Sequence, residues 1–563
     1  MKKQWNLKPK GKKQLVTELQ EGLGVAKIVA ELLAQRGITN FETAKTFFRP
    51  DISHLHDPFL MKDMGSAVAR LSTAIHQSEN ILVYGDYDVD GTTAVSLMYS
   101  FIKSIHDKVE YYIPDRYTEG YGVSFQGVDY AANNQFSLII ALDCGIKAID
   151  KVDYAREKGI DFIICDHHRP GDSVPNATAI LDPKQSDCLY PYKDLSGCGV
   201  GFKLVQAYCQ KAKIPFKKII PFLDLLVVSI AADIVPITGE NRVLAHFGLK
   251  QLNTNPRVGL KTLIEITDRD KSFTISDVVF GLAPRINAAG RIEHGAKAVE
   301  LMVQEDLELA RAKAKAVNQH NLKRRELDQS ITEEALQMIV TDAKSTVVFH
   351  PDWHKGVVGI VASRLIESHY RPTIVLTENN GKLVGSARSV KGFDVYDAID
   401  ACSEYVEQFG GHKYAAGLTL KKENLEAFTL KFESVVSETI KDEMLIPQIN
   451  IDAALNLADI DHKLYKILRQ MAPFGPGNMP PVFMSKHVVD RGYGRKIGQE
   501  KTHLKLSVTD ANRSQFLDCI GFGMADKFEL IKDGQQFDIA YALEENEWNG
   551  NVNLQLRLKD IRS

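Results

Sequence analysis

The sequence predicts an α/β protein with a parallel sheet, a long connecting helix, a second α/β unit and a small C-terminal β-barrel. Three observations lead to this fold class. Between residues 80 and 235, short apolar runs alternate with helix-like segments, which is typical of a parallel sheet with crossover helices. Residues 306–339 keep apolar side chains at helical spacing without Gly or Pro. After residue 481, five short alternating runs follow one another and fit a small barrel.

Composition places the chain among ordinary globular proteins. It has 563 residues, of which 44% are hydrophobic and 25% charged, enough for several domains. The net charge of −3 excludes a uniformly basic nucleic-acid wrapper but not a local basic track. Seven cysteines without a C-x-x-C pair argue against a disulfide framework and a structural zinc module. No apolar run has the length of a signal peptide or a membrane span, so we expect a cytoplasmic enzyme without a membrane segment.

The first predicted strand, residues 81–84, leads into an acidic loop. Asp86, Asp88 and Asp90 follow at every second position, so in an extended loop their carboxylates share one face. At about 4 Å, each like-charge pair costs on the order of 1–4 kcal/mol, which favours binding of a divalent cation. All-oxygen ligands suit magnesium or manganese. An isolated stretch of this kind is more often a solvated turn, so the assignment depends on recurrence along the chain.

Acidic residues recur at the ends of later predicted strands. Residues 138–142 end in Asp143, and residues 162–165 end in Asp166, His167 and His168. Ligands of parallel sheets collect outside the carboxyl ends of the strands, so these side chains are expected to converge. Asp233 follows an apolar helix-like segment and needs a partner if it is buried. Two adjacent histidines alone indicate a hydrogen-bonded core pair, but beside these acids they indicate a metal site.

Four motifs, at residues 86–91, 142–145, 166–168 and 231–236, resemble in this order those of the DHH phosphoesterase superfamily. Within it, the similarity is greatest to the RecJ family of single-stranded-DNA-specific exonucleases and extends from about residue 50 to the C-terminus. The resemblance implies a metal-dependent enzyme that degrades single-stranded DNA 5′ to 3′ in DNA repair and recombination. It also implies a DHH domain, a DHH-associated domain and an oligonucleotide-binding (OB) type barrel.

The resemblance implies a centre with two ions, Mn²⁺ or Mg²⁺. Asp88 and Asp143 would hold the first ion, and Asp143 would bridge to the second. The second ion would be held by Asp143 together with Asp90, His167 and Asp233.

The chain departs from the superfamily at Tyr84, where many members carry a histidine. The departure suggests that the first ion is held more loosely or that Asp86 helps to ligate it. Asp166 and His168 are expected to support the centre: Asp166 would orient His167 through its other ring nitrogen, and His168 would face the scissile phosphate.

Two segments are predicted to contact DNA. Residues 113–122 form a glycine-rich loop with Arg and Tyr, which composition alone explains equally well as a plain turn; the resemblance assigns Arg116 to the DNA end. Residues 281–291 are interpreted as a loop in which small residues let an anion approach closely. Arg285, Asn287 and Arg291 are its candidate DNA contacts, although one arginine could instead pair with a carboxylate.

The second α/β unit contains two glycine-containing clusters that resemble the substrate-binding motifs of the DHH-associated domain. Residues 385–389 supply Ser386 and Arg388, and residues 409–417 supply Gly410, Gly411 and His412. Plain glycine turns between strands are the alternative for each cluster. Together they favour a pocket for a terminal 5′ phosphate, with backbone amides and side-chain donors around it.

The predicted barrel carries a basic and aromatic patch. We predict that the patch, rather than any single member, binds single-stranded DNA through phosphate and stacking contacts. Its members are Arg491, Tyr493, Arg495, Lys496, Lys501, His503 and Lys505.

The chain is therefore predicted to have five parts. They are a helical N-terminal lead-in (1–60), a DHH domain (61–250), a motif loop with the long connecting helix (251–340), a DHH-associated domain (341–445) and an OB-type domain (446–563).

Other functions remain possible from the sequence alone. The same two DHH halves occur in phosphodiesterases that act on short oligoribonucleotides or cyclic dinucleotides, but these substrates need neither a barrel nor a long helix. In a non-catalytic scaffold that only binds single strands, we would expect some of the acidic metal ligands to be replaced. Here all the acids that match the motifs are present. The resemblance implies single-stranded-DNA-binding protein and a RecQ-type helicase as protein partners, and we expect a monomer.

Overall fold

The computed structural model describes residues 2–513, 515–548 and 550–563. The chain divides into two compact units. The central unit comprises Leu55–Val235 and Gly239–Ile446. The terminal unit comprises the N-terminal segment up to His54 together with Pro236–Thr238 and Pro447–Ser563.

The described residues contain strands in the following order: β1 (Gln4–Leu7), β2 (Ile81–Gly85), β3 (Val109–Tyr112), β4 (Leu138–Leu142), β5 (Asp161–Cys165), β6 (Ala179–Leu181), β7 (Thr346–Phe349), β8 (Thr373–Asn379), β9 (Lys382–Arg388), β10 (Gln408–His412), β11 (Ala415–Leu420), β12 (Gln448–Ile451), β13 (Ala453–Ala454), β14 (Phe483–Asp490), β15 (Arg495–Ile497), β16 (His503–Thr509), β17 (Leu517–Gly521), β18 (Phe537–Trp548) and β19 (Asn551–Arg562).

The helices are α1 (Lys13–Leu23), α2 (Lys27–Gln35), α3 (Phe41–Phe48), α4 (Met64–His76), α5 (Val89–Lys103), α6 (Phe125–Asn133), α7 (Ile149–Glu157), α8 (Gly197–Lys211), α9 (Leu223–Ala232), α10 (Gly239–Thr254), α11 (Val258–Ile266), α12 (Ile275–Asp277), α13 (Ala283–Ile292), α14 (Ala296–Met302), α15 (Leu307–Gln337), α16 (Val358–Ser368), α17 (Val395–Asp400), α18 (Leu425–Thr439) and α19 (His462–Gln470).

The first sheet of the central unit is the predicted parallel sheet. Its strands lie in the order β3-β2-β4-β5-β6, and all four neighbouring pairs are parallel. Every residue of β2 and β4 is buried, which explains why these strands read as continuous apolar runs rather than as alternating patterns. Because the strands are parallel, their carboxyl ends lie along one edge of the sheet, and the predicted acids follow three of them. The fifth strand, β6, is absent from the sequence prediction because it is only three residues long.

The segment between the two sheets is helical. The long helix α15 spans 31 residues, close to the predicted range of 306–339, and its N-cap Asp306 accepts a hydrogen bond from the backbone N–H of Leu309. The prediction of a loop at residues 281–291 is wrong. Val278–Leu282 forms a π-helical turn that runs into α13. The glycines that suggested a loop instead allow close packing: a Cβ at Gly290 would lie 2.7 Å from the backbone oxygen of Tyr87.

The second sheet of the central unit has the order β10-β11-β9-β8-β7. Only β7 and β8 are parallel, and the other pairs are antiparallel. Both glycine clusters lie largely in strands β9, β10 and β11, not in turns between strands. Gly411 has φ of 148° in β10, and a Cβ there would lie 2.3 Å from the backbone oxygen of Ala415, so glycine is required at this position.

The terminal unit joins both ends of the chain. Strand β1, which the sequence did not indicate within the helical N-terminal segment, pairs in parallel with β12. The other sheet has the order β13-β14-β18-β19-β17-β16-β15, and an additional pairing of β14 with β16 closes five of these strands into a ring. Residues of α1 and α2 share one apolar core with the ring, including Leu19, Leu33, Phe483 and Tyr541. The predicted small barrel is therefore present, with β15 and β13 as additions.

Among the described residues, no helix is long and apolar enough to span a membrane.

Candidate active site

The acids predicted at the strand ends converge around one histidine nitrogen. The Nε2 atom of His167 lies 3.1 Å from Asp143 Oδ1, 3.7 Å from Asp233 Oδ2 and 3.8 Å from Asp90 Oδ2. Asp143 follows β4, His167 follows β5 and Asp233 follows α9, so these three residues come from the ends of three separate elements. We call this group, together with Asp86 and Asp88, the acidic centre.

The orientation of His167 differs from the prediction. Its Nδ1 lies 3.0 Å from the backbone oxygen of Leu195. Since a carbonyl can only accept, Nδ1 carries the hydrogen and the Nε2 lone pair faces the acids, as in a metal-binding histidine. The prediction that Asp166 orients this ring is wrong, because Asp166 Oδ1 instead contacts Nδ1 of His168 at 2.7 Å.

Asp166 and His168 form a charged pair beside the centre. Besides the ring of His168, Asp166 accepts backbone N–H groups from Ile146 at 2.9 Å and His167 at 2.7 Å. Burial opposes ionisation of this carboxyl, but the hydrogen bonds and the charge of His168 outweigh it and lower the pKa to about 2. For His168, burial lowers the pKa, yet the hydrogen bond to Asp166 leaves the pKa raised. The pair therefore favours an ionised carboxylate and an imidazolium.

Asp90 is held by a helix N-terminus that the sequence analysis missed. Its carboxylate accepts the backbone N–H groups of Gly197 at 2.7 Å and Cys198 at 2.9 Å, and the hydroxyl of Ser229 at 2.7 Å. A Cβ at Gly197 would lie 2.5 Å from Asp143 Oδ1, so glycine lets α8 begin directly against the acids. The glycine-rich pattern at residues 196–201 was the available signal.

The acidic loop contributes the remaining two carboxylates. Asp88 caps α5 by accepting the N–H of Gly91 at 2.9 Å, and burial together with Asp90 raises its pKa. Asp86 accepts the N–H of Gly122 at 3.2 Å. Tyr84, at the position where many superfamily members carry histidine, donates its hydroxyl to the backbone oxygen of Gly122 at 3.0 Å and packs in the core. The Tyr84 hydroxyl therefore donates its hydrogen to this carbonyl and not to a carboxylate of the site.

The acidic centre lacks a counter-charge of its own. Asp86 Oδ2 and Asp143 Oδ1 are buried without a hydrogen-bond partner within the described chain. Burial and the charge of Asp88 raise the pKa of Asp86 to about 8, and burial with Asp90 raises that of Asp233 to about 8. Burial and the neighbouring acids also raise the pKa of Asp143.

The donor set of the acidic centre is that of a divalent-cation site. Ligand atoms of Asp90, His167 and Asp233 all lie within 4.8 Å of one another. Carboxylate oxygens with imidazole suit Mn²⁺ or Mg²⁺, and the two orphaned carboxylate oxygens fit a cation directly.

A second cluster in the central unit is cationic. Arg291 is half-buried, and its pKa is lowered to about 10 by desolvation and by the charges of Arg116, Arg324 and Arg388. Its Nη1 donates to the backbone oxygen of Gly356 at 3.0 Å. Arg388 donates to Ser386 Oγ at 2.8 Å, and burial lowers its pKa. Among the described residues, no carboxylate pairs with Arg116, Arg291 or Arg388, which we call the arginine cluster.

The other predicted contacts on α13 have different surroundings. Arg285 donates from Nε to the side-chain oxygen of Asn318 on α15 at 3.0 Å, so part of its guanidinium serves helix packing. Asn287 has a buried side-chain oxygen without a hydrogen-bond partner in the described part of the chain.

The residues predicted on the second sheet share one of its faces. Strand register places Gly410 opposite Gly417, which lies opposite Ser386. In the next row, His412 lies opposite Ala415, which lies opposite Arg388. The start of α16 adjoins this face, because a Cβ at Gly359 would lie 2.9 Å from Arg388 Nη2 and 3.0 Å from Ser386 Oγ. Four of the five predicted residues are thus brought together, and Gly411 lies between them in β10.

The predicted basic patch on the terminal unit is partly preformed. The guanidinium of Arg491 lies 3.8 Å from the ring centroid of Phe516 and 5.5 Å from that of Tyr493. A surface cavity of about 290 Å³ adjoins this stack. Its lining includes Arg491, Tyr493, Arg495 and Lys505, four of the seven predicted members.

Three family models match the chain. The N-terminal domain of the DHH family matches residues 80–230, the DHHA1 domain residues 337–438 and the RecJ OB domain residues 451–560.

Curated relatives cover nearly the whole chain. The single-stranded-DNA-specific exonuclease RecJ of Bacillus subtilis is 39% identical over 97% of this chain and 69% of the relative. The enzyme of the same name from Escherichia coli is 32% identical over 88% of this chain and 89% of the relative.

Solved structures support the same fold. The crystal structure of RecJ with Mn²⁺ from Thermus thermophilus matches with a TM-score of 0.85 and 25% identity, over 100% of this chain and 79% of the other. The structure with Mg²⁺ from the same source matches with a TM-score of 0.80. A manganese-bound exonuclease RecJ matches with a TM-score of 0.61 and 30% identity, over 70% of this chain and 98% of the other.

Proposed function

The chain belongs to the RecJ family of DHH phosphoesterases, and we propose that it degrades single-stranded DNA from the 5′ end, with two divalent ions, in DNA repair and recombination. It is a metal-dependent exonuclease specific for single strands. The observation that carries the proposal is that one unit holds both an acidic centre with buried, unpartnered carboxylate oxygens and an arginine cluster with which no carboxylate of the described residues pairs. A phosphodiester with its metal ions supplies both missing charges.

The residues of the acidic centre fit two ions. Asp86, Asp88 and Asp143 would hold one, and Asp90, His167 and Asp233, with Asp143 shared, would hold the other. Bound ions supply an activated water and neutralise charge on the phosphate and the leaving oxygen. Mn²⁺ or Mg²⁺ suits these ligands.

The protein's own groups position this site. The Leu195 carbonyl fixes the His167 tautomer, and the first N–H groups of α8 hold the Asp90 carboxylate in place. Asp166 raises the pKa of His168 and so favours its cationic form, and the partly exposed ring is suited to contact the scissile phosphate.

We assign 5′-end recognition to the arginine cluster and the adjoining sheet face. Arg388 and Ser386 are hydrogen-bonded neighbours that retain further donor groups for a ligand. Gly410 leaves open space where the side chain of another residue would lie. Such a pocket suits a terminal phosphate, which offers more negative charge than an internal one. Arg116, Arg285, Asn287, Arg291, Gly411 and His412 complete the proposed DNA contacts. The patch around Arg491 would bind single-stranded DNA by stacking and charge.

The setting of the enzyme is also a proposal. All seven cysteines are free and buried, which supports a reducing, cytoplasmic compartment. The acidic centre and the arginine cluster are complete within one chain, which supports a monomer. Single-stranded-DNA-binding protein and a RecQ-type helicase are the protein partners that family membership supports.

The proposal is tested with matched substrates and Mn²⁺. A 5′-phosphorylated single strand labelled at its 3′ end should shorten progressively, and the same strand labelled at its 5′ end should release labelled mononucleotide at once. A blunt duplex and a two-nucleotide RNA should be poor substrates, and EDTA should stop the reaction. Rapid hydrolysis of the dinucleotide alone would favour a short-oligoribonucleotide phosphodiesterase, and binding of the strand without cleavage would favour a scaffold.

A further inference from the structure

Tyr87 occupies a position between two candidate metal ligands, and the mechanism above gives it no role. It stands between Asp86 and Asp88, and its ring carries the guanidinium of Arg116, whose Cζ lies 4.8 Å from the ring centroid. Arg116 has no carboxylate partner among the described residues, so this ring is a principal support of its charged group. Tyr87 therefore connects the acidic loop with the proposed end-recognising arginine.

Two glycines pack tightly against Tyr87. A Cβ at Gly290 of α13 would lie 2.7 Å from the backbone oxygen of Tyr87. A Cβ at Gly295 would lie 3.0 Å from the Cβ of Tyr87. Two glycines thus allow the segment that carries Arg291 to close over the acidic loop. Because the backbone cannot shift freely, the ring holds Arg116 at a fixed place relative to Asp86 and Asp88.

The ring also meets the group that steadies His168. Tyr121 packs edge-on against Tyr87, with ring centroids 6.2 Å apart. The Tyr121 hydroxyl lies 3.1 Å from the backbone oxygen of Asp143 and 3.2 Å from Nε2 of His168. By contrast, the Tyr87 hydroxyl makes no hydrogen bond within the part of the chain described. The ring of Tyr87, rather than its hydroxyl, makes these connections.

We propose that Tyr87 is a positioning residue whose ring holds Arg116 beside the acidic loop and thereby sets the preference for 5′-phosphorylated ends. The proposal rests on the proposed function, because it assumes that Arg116 contacts the DNA end. It predicts a specific kinetic signature. Loss of the ring should lower kcat/KM for phosphorylated ends more than for hydroxyl ends, whereas a merely structural tyrosine would affect both alike.

The test compares kcat/KM for 5′-phosphoryl and 5′-hydroxyl single strands of the same sequence, with saturating Mn²⁺. Tyr87→Phe should keep the wild-type ratio, because the ring remains. Tyr87→Leu should lower the ratio about 5-fold, the effect expected for loss of one partly desolvated cation–π contact. Tyr99→Leu is the matched control: it removes a ring that packs on another tyrosine, Tyr111, with centroids 5.2 Å apart, rather than on an arginine, and should leave the ratio unchanged.

A double-mutant cycle decides whether Tyr87 acts through Arg116. In an Arg116→Gln background, Tyr87→Leu should cause no further fall in the ratio. If Tyr87→Leu does not fold, as judged by its thermal unfolding, Tyr87→Met removes the ring at similar volume and takes its place. Equal loss on both substrates, or the same loss in Tyr87→Phe, would overturn the proposal.

The cycle also separates this inference from the function on which it rests. If Arg116→Gln and Arg388→Gln both leave the ratio unchanged, recognition of the 5′ phosphate by these arginines is wrong, and the role of Tyr87 falls with it. If they lower the ratio and Tyr87→Leu does not, only the inference about Tyr87 fails.

Discussion

Within the central unit, the acidic centre and the arginine cluster carry opposite charges. Among the described residues, no lysine or arginine forms an ion pair with these carboxylates, and no carboxylate pairs with these arginines. Around His167, carboxylates crowd together and burial raises the pKa values of Asp86 and Asp233 to about 8. In the arginine cluster, burial and like charges lower the pKa of Arg291 to about 10. Burying unpaired charge is costly, so each region indicates the ligand that would relieve it. The first indicates a cation and the second a phosphate.

The two regions also differ in their backbone. Asp143 and Ile234, both in the acidic centre or next to it, have positive φ angles of 60° and 58°. Arg291 and Arg388 instead lie in an ordinary helix and strand, α13 and β9. The candidate metal ligand Asp143 therefore lies on strained backbone, whereas Arg291 and Arg388 of the arginine cluster lie in regular structure.

Removing the shared carboxylate should have the largest effect. Asp143→Asn keeps the shape but removes the charge proposed to bridge two ions. Loss of residues that only support a metal ligand typically costs about 10–100-fold in activity, so loss of this ligand should lower kcat at least about 100-fold. Asp161→Asn, at the opposite end of β5, is the control and should retain activity. If Asp143→Asn keeps more than about a tenth of wild-type kcat at saturating Mn²⁺, the bridging role is wrong.

A substitution in the arginine cluster should change KM for the DNA end rather than kcat. Arg388→Gln removes one charged donor to the terminal phosphate, and a charge-assisted hydrogen bond of this kind is worth about tenfold in affinity. KM for 5′-phosphorylated strands should rise by about that factor, with little change for 5′-hydroxyl strands and none in the Mn²⁺ requirement. Arg311→Gln, which removes an exposed guanidinium paired with Glu308 on α15, should leave both values unchanged. Equal losses on both kinds of end would remove Arg388 from the phosphate pocket.

The pH dependence of stability should report the raised pKa values in the acidic centre. Asp86 and Asp233 have folded-state pKa values of about 8, well above those of the unfolded chain, so protonation stabilises the fold. Their contribution is complete below the unfolded-state pKa of about 4 and is lost as pH rises through about 8. The metal-free protein should therefore melt at lower temperature as pH rises from 5 to 9 in thermal denaturation with EDTA.

A variant isolates that contribution. Asp86→Asn should make Tm fall less steeply with pH, because it removes one of the carboxyls whose pKa is raised. Mn²⁺ should raise the Tm of the wild-type protein more at pH 8.5 than at pH 6. A Tm that rises with pH in the metal-free protein, with the variant parallel to wild type, would contradict an uncompensated centre.

Relief of backbone strain at Ile234 should give the smallest predicted effect, a change in the free energy of unfolding. Ile234 is 62% exposed, so its side chain gains little from burial, and a β-branched residue in the left-handed region is unfavourable. Ile234→Gly should raise the free energy of unfolding by about 1 kcal/mol, after the entropic cost of glycine. Ile234→Ala keeps the strain and should not stabilise. Denaturant titration of the metal-free protein distinguishes them, and destabilisation by glycine would show that Ile234 is not strained.

The sequence predicted those parts of the site that depend on local order. Strands β2, β4 and β5 are continuous apolar runs, so the order of residues alone places the acids after them at one sheet edge. The hydrogen bonds around Asp90 could not be predicted this way, because Gly197 and Ser229 reach it only through packing of distant helices. The same holds for the Leu195 carbonyl that orients His167.

Glycine was the main source of error. At residues 281–291, small residues suggested a loop, but they serve close packing in α13. Local composition does not distinguish a glycine that permits a turn from one that permits a neighbour to approach.

The most direct test of the paired-charge account is a crystal structure with Mn²⁺ and a 5′-phosphorylated oligodeoxynucleotide that carries non-hydrolysable linkages. Anomalous scattering locates the manganese, and the electron density locates the terminal phosphate. The account predicts two manganese peaks among the carboxylates and His167, with the 5′ phosphate against Arg388 and Ser386. A single peak, manganese outside the acidic centre, or a terminal phosphate away from the arginines would contradict it.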